Sequence, residues 1–332
     1  MYILKKTTLL AAFAASVLTG SGASPSTAAP GKPLLVPGAV IEVPNSKGKF
    51  DFLQVDPVRR RLMAGHKDEN TADIFDLKTN KLAARVKTGE CCEAIVDVKT
   101  GTLYFSLQAD KRVAVIDPVT FKETGSISVD GDLDSIFFCP SNRMIYAAND
   151  NGEYLWVIDP EAKKVVATIQ IPISPELMAF DAARDRLFLN CKGTNEVVVI
   201  DIRSNQIIEK WRTLPATGPH GITYDDKFNR LIIAGNGGKM VVLDASDGKL
   251  VTEFDINLGV DQTAYDPSLR RVYCAGPEKI GIVQLTDEGA KLVGTVSTGL
   301  QGKNVAVDLV SHAVWMVYSD GQSTVAKSWN AN

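Results

Sequence analysis

The sequence predicts an all-β protein built from one repeated unit, and three observations point to this fold class. First, seven alternating apolar runs end in an aspartate or a cysteine, at intervals of 41 to 44 residues by subtraction: Asp56, Asp97, Cys139, Asp181, Asp225, Asp266 and Asp308. Second, each unit holds four short runs rich in β-branched and aromatic residues, with Gly, Pro, Asn and Asp between them. Third, no segment has a convincing helical period. A self-repeat of this length indicates a supersecondary unit stacked against its own copies.

The second unit illustrates the four predicted strands. They are Ala94–Val96, Leu103–Phe105, Val113–Ile116 and Gly125–Val129. Four strands in about forty residues, repeated seven times, are typical of a seven-bladed β-propeller with four antiparallel strands per blade.

The two ends of the chain favour a closed ring over an open solenoid. The last unit, from Lys303, holds only three strand-like runs: Asn304–Val307, Ala313–Val317 and Thr324–Ser328. The missing fourth run is Val40–Val43, near the other end of the chain. We expect this N-terminal strand to complete the C-terminal blade, because closure removes two exposed sheet edges. The sequence therefore predicts a single propeller domain over residues 34–330.

The first residues resemble a secretory signal. Lys5 and Lys6 precede the apolar stretch Thr8–Gly20, and small residues follow from Ser21 to Ala29. We expect residues 1–29 to be a signal peptide and the protein to be periplasmic or secreted; the alternative is a disordered tail. No later apolar run is long enough for a membrane span.

Composition narrows the possible partners. The chain is 45% hydrophobic and 23% charged, with a net charge of −3 and a pI near 5.7. This balance disfavours a general nucleic-acid or anionic-membrane binder, which needs a basic surface. Five cysteines are an odd number for an oxidising compartment, and no CxxC motif is present.

The third strand and its turn recur as VAVIDP, LWVIDP, VVVID and MVVLD, at Val113–Pro118, Leu155–Pro160, Val197–Asp201 and Met240–Asp244. This unit resembles the YVTN-type (YncE-like) seven-bladed β-propeller repeat of exported bacterial proteins. The resemblance covers nearly all of the predicted mature chain and implies the fold. It does not imply one function, since the family includes binding, surface and uncharacterised proteins. The sixth unit departs from the pattern, with Gln284 where the turn aspartate is expected.

The recurring aspartates are predicted to be structural. Turn aspartates such as Asp76, Asp117 and Asp159, and the residues that close the inner strands, accept hydrogen bonds from nearby backbone N–H groups. We exclude them from the candidate site.

The position five residues before each closing residue is different, because every residue there can carry chemistry. We call this set the mouth ring: Asp51, Cys92, Asp134, Glu176, His220, Asp261 and Lys303. The innermost strand of a blade begins beside the central channel, so we expect the ring to surround one mouth of that channel. Four carboxylates with one lysine in the ring attract a cation or raise carboxyl pKa values. The alternative is a wet polar channel whose side chains only satisfy one another.

A second recurring position follows each second strand and is expected to rim the same mouth. It holds His66, Leu107, Asn149, Cys191, Gly235, Gly276 and Tyr318. We predict that His66, Asn149 and Tyr318 contribute to ligand binding. We place His312 in a surface turn at the opposite end of its blade.

Two adjacent cysteines, Cys91 and Cys92, are the most unusual local feature. The stretch resembles the vicinal-cysteine segment of quinoprotein alcohol dehydrogenases, but the chain lacks their tryptophan-bearing repeat, so pyrroloquinoline quinone (PQQ) is not expected. The alternatives are a strained vicinal disulfide, two free thiols with one facing the channel, or pairing with Cys139 or Cys191.

Three functions are compatible with these residues. In the first, the mouth binds a small polar ligand or a divalent ion (Ca, Mg, Mn or Zn), with Glu176, His220 and Asp261 as metal ligands. In the second, the protein is a periplasmic lactone hydrolase or lyase, with Glu176, Asp134 or Asp261 as general base and His220 or Lys303 as general acid. In the third, the loop face holds a protein partner. No GxSxG, P-loop, HExxH or CxxCH motif is present.

Overall fold

A computed structural model describes residues 33–319 and 321–332, and the predicted signal peptide lies outside these residues. The described chain forms seven four-stranded antiparallel sheets. The inner strands of successive sheets contact one another around a complete circle. The predicted seven-bladed β-propeller is therefore confirmed.

Blades 1 to 6 each use four consecutive strands, which run in order from the channel outward. Blade 1 is β2 (Phe50–Asp56), β3 (Arg61–His66), β4 (Thr71–Asp76) and β5 (Lys81–Lys87). Blade 2 is β6 (Cys91–Val96), β7 (Leu103–Leu107), β8 (Arg112–Ile116) and β9 (Glu123–Ser128). Blade 3 is β10 (Leu133–Phe138), β11 (Ile145–Asn149), β12 (Tyr154–Asp159) and β13 (Lys164–Gln170).

The strands of the next three blades follow the same order. Blade 4 is β14 (Pro175–Asp181), β15 (Arg186–Cys191), β16 (Glu196–Asp201) and β17 (Gln206–Arg212). Blade 5 is β18 (Pro219–Asp225), β19 (Arg230–Gly235), β20 (Lys239–Asp244) and β21 (Leu250–Asp255). Blade 6 is β22 (Thr263–Asp266), β23 (Arg271–Gly276), β24 (Lys279–Thr286) and β25 (Gly289–Ser297).

Blade 7 joins the two ends of the chain. It consists of β26 (Ala306–Asp308), β27 (Ala313–Ser319) and β28 (Ser323–Ala331), with β1 (Leu35–Pro44) as its outer strand. Strand β1 pairs antiparallel with β28 in a register that sets Ile41 opposite Ala326. The predicted closure by an N-terminal strand is confirmed, and it pairs the edge that β28 would otherwise expose.

The hydrophobic core lies between blades and not inside them. Seven clusters of buried side chains each join two neighbouring blades, and one of them packs Ile41 of blade 7 against Leu53 and Phe75 of blade 1. The only helix of the described residues is a single 3-10 turn, Lys67–Glu69. None of the helical structure described is long and apolar enough to cross a membrane.

The recurring aspartates make the turn contacts predicted for them. Asp56 Oδ1 accepts hydrogen bonds from the backbone N–H groups of Val58 and Arg59, both at 3.0 Å. Asp76 Oδ1 does the same for Lys78 and Thr79, at 2.8 and 3.3 Å. These side chains are thus occupied by the turns that connect the strands.

Side chains at the face opposite the mouth also tie neighbouring blades together. Arg60 Nε donates to Asp308 Oδ2 at 3.1 Å, and Arg143 Nη2 donates to Asp97 Oδ2 at 2.8 Å. His312 follows the same pattern, with Nδ1 2.6 Å from Asp266 Oδ2. This histidine therefore has a structural partner, far from the mouth ring.

Closure of the ring can be tested with two adjacent residues of β1. Ile41 is 5% exposed and packs in the interface of blades 7 and 1, whereas Val40 is 50% exposed. We expect Ile41→Ala to lower the free energy of unfolding by ~2–5 kcal/mol, because it leaves a cavity in that interface. Val40→Ala is the matched control and should change it by less than ~0.5 kcal/mol in urea denaturation. Equal effects of the two substitutions would show that β1 does not stabilise the ring.

Candidate functional site

The inner strands share a backbone irregularity that directs the mouth-ring residues. The pairing of the first and second strands shifts register between Phe50 and Leu53 in blade 1, and between Cys91 and Glu93 in blade 2. Blades 3, 4 and 5 show the same shift, which spans Asp134, Glu176 and His220. A bulge of this kind turns a side chain out of the sheet's alternation, so each of these five blades can present one residue to the mouth.

The structure gathers six of the seven ring residues into two groups. Asp51, Cys92 and Asp134 form the thiol–carboxylate cluster, in which one ligand atom of each residue lies within 4.8 Å of the others. Glu176, His220 and Asp261 form the histidine cluster, with the same limit of 4.8 Å. In both, every side chain comes from a different blade or the loop before it.

Lys303 is placed apart from both clusters. Blade 7 begins at Ala306, so Lys303 lies in the loop before its inner strand, and its side chain is exposed. It lines a cavity of about 640 Å³ at the mouth, together with Asp51, Asp261 and Tyr318.

At the second recurring position, the prediction was wrong by one residue in four blades. The side chains that reach the mouth belong to the following residues: Lys67, Gln108, Asp150 and Lys192. Sequence overlay missed all four because a strand end alternates sides with each residue, and a one-residue error selects the opposite face. In each of these four blades the residue after the predicted rim position is polar, and this pattern could have identified them.

His66 does not have the position at the mouth that was predicted for it as a ligand-binding residue. It is fully buried beneath the rim and stacks on Phe50 with ring centroids 3.9 Å apart. Its Nε2 lies 2.9 Å from Lys47 O and its Nδ1 lies 3.3 Å from Asp73 Oδ2. Both ring nitrogens are occupied, so His66 supports the loop and does not face a ligand.

The other predicted rim residues differ in position. Asn149 lies at the end of β11, where its side chain packs against Gly131 and Gly152, and no described contact joins it to the two clusters. Cys191 is buried in the core between blades 3 and 4. Tyr318 alone among these lines the mouth cavity.

Lys67 connects the thiol–carboxylate cluster to a chain of polar contacts. Its Nζ lies 3.3 Å from Asp51 Oδ2 and 3.7 Å from Glu90 Oε1. It also donates to Gln108 Oε1 at 2.8 Å, and Gln108 Nε2 in turn donates to Asp150 Oδ2 at 2.7 Å. The mouth is therefore braced from blade 1 to blade 3.

The histidine cluster has its own orienting contacts. His220 Nδ1 lies 2.7 Å from the carbonyl oxygen of Gly218, and since a carbonyl can only accept, Nδ1 carries a hydrogen. His220 Nε2 is therefore directed at the carboxylates, 3.7 Å from Glu176 Oε1 and 3.9 Å from Asp261 Oδ1. Lys192 Nζ contacts Glu176 Oε1 from the other side.

Burial and crowding shift the pKa values of the mouth carboxyls. Burial raises the pKa of Asp51 to about 7, Lys67 opposes the rise, and the charges of Asp261 and Glu176 add to it. Burial, together with the charges of Asp51 and Glu176, also raises the pKa of Asp134 well above its usual range. For Glu176, burial raises the pKa against the opposing charges of His220 and Lys192. The carboxyls thus hold protons more tightly than they do in water.

The vicinal cysteines are both free and buried, so of the alternatives left open the structure shows two thiols, one toward the channel. Cys91 packs in the core between blades 1 and 2, whereas Cys92 Sγ lies 3.7 Å from both Gln108 Oε1 and Leu133 O. Gly65 makes this arrangement possible, because a Cβ there would come within 2.2 Å of Cys92 O. Cys139, Cys191 and Cys274 are also free and buried.

A second cavity, of about 170 Å³, is lined by residues of the inner strands that follow the mouth ring in the chain. Glu93 lines it, and its Oε2 accepts a hydrogen bond from Ile136 N at 2.7 Å. Burial raises the pKa of Glu93 to about 8 against the effect of that hydrogen bond. Gln262 also lines the cavity and bridges Leu53, accepting from its N–H at 3.0 Å and donating to its carbonyl at 2.7 Å. Neither residue was identified from the sequence.

Comparison with curated proteins supports the predicted resemblance. The protein YncE of Salmonella typhi is 23% identical over 228 residues, which are 64% of this chain and 62% of that protein. The match to YncE of Salmonella typhimurium has the same identity and extent. NirF of Stutzerimonas stutzeri is 27% identical over 118 residues, 35% of this chain and 29% of that protein. These similarities and the seven blades confirm a YncE-like propeller.

Solved structures agree in fold. A chain of the mitotic checkpoint complex superposes with a TM-score of 0.78 at 12% identity, covering 96% of this chain and 99% of that chain. A chain of hydrazine synthase from Kuenenia stuttgartiensis gives a TM-score of 0.73 at 17% identity, covering 84% and 96%. At these identities the likeness concerns the fold alone. The sequence matches no protein-family model.

The buried carboxyl of Glu93 predicts how stability depends on pH. Its pKa is about 8 in the folded protein and near 4.5 when unfolded, so the folded state binds this proton more tightly. Its contribution is complete below pH 4.5 and is lost as the pH rises through 8. We expect the protein, stripped of metal with chelator, to lose stability across that window in urea denaturation, and Glu93→Gln to reduce the loss. Identical pH profiles for the two proteins would contradict the assignment.

Proposed function

We propose that the protein binds a divalent metal ion at the histidine cluster of the channel mouth. The observation that carries this proposal is the orientation of His220. Its Nδ1 hydrogen is held by the Gly218 carbonyl, so Nε2 is directed toward Glu176 and Asp261 and is the ring nitrogen placed to bind an ion. A ring nitrogen that faces two carboxylates needs a positive charge or a proton between them, and a divalent ion can take the place of that proton.

The donor set suits such an ion. One imidazole nitrogen and two carboxylate oxygens are ligands for Zn²⁺, Mn²⁺ and related ions, and a histidine ligand commonly donates its other N–H to a backbone carbonyl. The three donor atoms lie within 4.8 Å of one another, so modest side-chain movement would bring them to one ion. Lys192 competes for Glu176 and would turn toward Asp150 when the ion binds.

The cavity beside this cluster supports a role in ligand binding as well. Its volume of about 640 Å³ lies in the range of small-molecule sites, and its wall carries both acidic and basic groups, Asp261 and Lys303 among them. A polar ligand that reaches the metal from this cavity would be held by its charged wall.

We also propose that the protein acts in the periplasm. The support is the signal-like pattern of residues 1–29 and the resemblance to YncE and NirF. The chain spans only 62% of YncE, so the proposal concerns location and carries over no activity from the relatives.

The metal proposal is tested by removing one ligand. We expect His220→Ala to weaken Zn²⁺ or Mn²⁺ binding by more than the roughly 10–100-fold that follows loss of an outer-shell partner. His312→Ala is the matched control, because His312 is paired with Asp266 at the opposite face and should leave binding unchanged. Isothermal titration of chelator-treated protein measures both variants. Equal affinities in wild type and His220→Ala, or no binding by wild type, would refute the proposal.

A second candidate function is metal-assisted hydrolysis or elimination on a lactone or sugar acid, favoured by the cavity that adjoins Asp261. The metal would polarise a carbonyl, and a mouth carboxylate would act as base. We expect Asp261→Asn to abolish any turnover found in a screen of lactones and uronides. Turnover that survives this substitution would place the chemistry elsewhere, and no turnover by wild type would leave binding as the function.

A further inference from the structure

Asp134 is a buried carboxyl without a stabilising partner. It is 8% exposed, and across residues 33–319 and 321–332 no hydrogen bond or ion pair reaches its side chain. Burying a carboxylate without compensation is costly, and native proteins rarely do so without a reason. The groups that act on it include Asp51, Glu176 and Asp150, all acidic, with Lys67 as the opposing charge.

The Asp134 carboxylate points at two other donors. One of its oxygens lies within 4.8 Å of both a carboxylate oxygen of Asp51 and the sulfur of Cys92. Donors of one tetrahedral zinc ion lie roughly 3.5 Å apart, as ligand bonds of about 2.0–2.3 Å require, so the side chains need to close by only about an ångström.

We infer that Asp51, Cys92 and Asp134 form a second metal site, which takes a thiophilic divalent ion such as Zn²⁺ through one sulfur and two oxygens. This site goes beyond the proposed function, which concerns the histidine cluster alone. Its donors differ in chemistry from those of the histidine cluster, since sulfur favours softer ions than imidazole and carboxylate do.

Lys67 is a cation that a metal ion at this cluster would have to displace. Its ammonium contacts Asp51 at 3.3 Å, but it also contacts Glu90 at 3.7 Å and donates to Gln108 at 2.8 Å. A metal ion would displace it from Asp51, and Glu90 and Gln108 would remain as its partners. Lys67 is 22% exposed in its side chain, so it can move toward solvent at the mouth.

The backbone fixes the sulfur ligand. The bulge in β6 separates Cys91, which packs in the core, from Cys92, which faces Gln108 and Asp134. Gly65 lets the adjacent strand approach the Cys92 carbonyl closely. On binding, the thiol S–H bond breaks, a sulfur–metal bond forms and the proton passes to the buffer.

Cd²⁺ tests this site, because cadmium bound to a thiolate gives an ultraviolet charge-transfer band that carboxylate and imidazole do not give. We expect chelator-treated wild type to develop the band with one equivalent of sulfur-bound Cd²⁺. Cys92→Ser should abolish it, and Asp134→Asn should weaken Cd²⁺ binding at least 10-fold. Cys91→Ala, the adjacent buried thiol, is the control and should retain the band.

Two results would overturn the inference: no band in the wild type, or a band that persists in Cys92→Ser. Asp134→Asn guards against misfolding, since it replaces the carboxyl by a neutral group of similar size: the melting temperature of the metal-free protein should be no lower than that of the wild type, while metal binding is weakened. His220→Ala should keep the band. The proposals for the two metal sites can therefore be refuted independently.

Lys67→Met tests the displacement itself. Without the competing ammonium, Cd²⁺ should bind at least as tightly as it does to wild type. A 10-fold loss of affinity would show that Lys67 positions the ligands, and would overturn the proposed displacement.

Discussion

The pairing of β1 with β28 is the constraint on which the rest of the structure depends. Each blade buries its apolar surface against two neighbours, so the seven interfaces are complete only when the ring is closed. Closure also fixes the inner strands around the channel, and with them the spacing of the mouth-ring residues. Ion pairs such as Arg60 with Asp308 support the same geometry at the opposite face. A site assembled from one residue per blade requires this rigidity, because no single blade holds more than a fragment of it.

The bulge at the start of the inner strands of blades 1 to 5 directs ring side chains toward the channel mouth. It crowds Asp51, Asp134 and Glu176 beside one another with little solvent to screen them, and the pKa of each is raised as a result. Lys67 and Lys192 relieve only part of this charge, since each contacts one ring carboxylate. Acidic side chains therefore outnumber basic ones at the mouth. This imbalance is the physical basis for proposing cation binding at both clusters.

The fold was predictable from the sequence because every blade repeats the same pattern of strand-like runs and a closing Asp or Cys. The seven closing residues determine the register, and the missing strand of the last unit identifies β1 as its completion. The mouth ring followed from the same register, and the structure brings Glu176, His220 and Asp261 together from two bulged strands and the loop before a third. Lys67 and Lys192 were missed, since one residue of displacement at a strand end reverses the direction of a side chain. His66 was misplaced for a related reason: the rarity of histidine in the chain says nothing about which way its ring points.

Metal binding at the channel mouth is tested most directly by anomalous diffraction at the zinc edge, from crystals of the whole protein soaked with Zn²⁺. The account predicts a strong anomalous peak among Glu176, His220 and Asp261, and a second peak among Asp51, Cys92 and Asp134, with Lys67 turned toward Glu90 and Gln108. A mouth without an anomalous peak at saturating Zn²⁺, with Lys67 still on Asp51 and Lys192 still on Glu176, would contradict it.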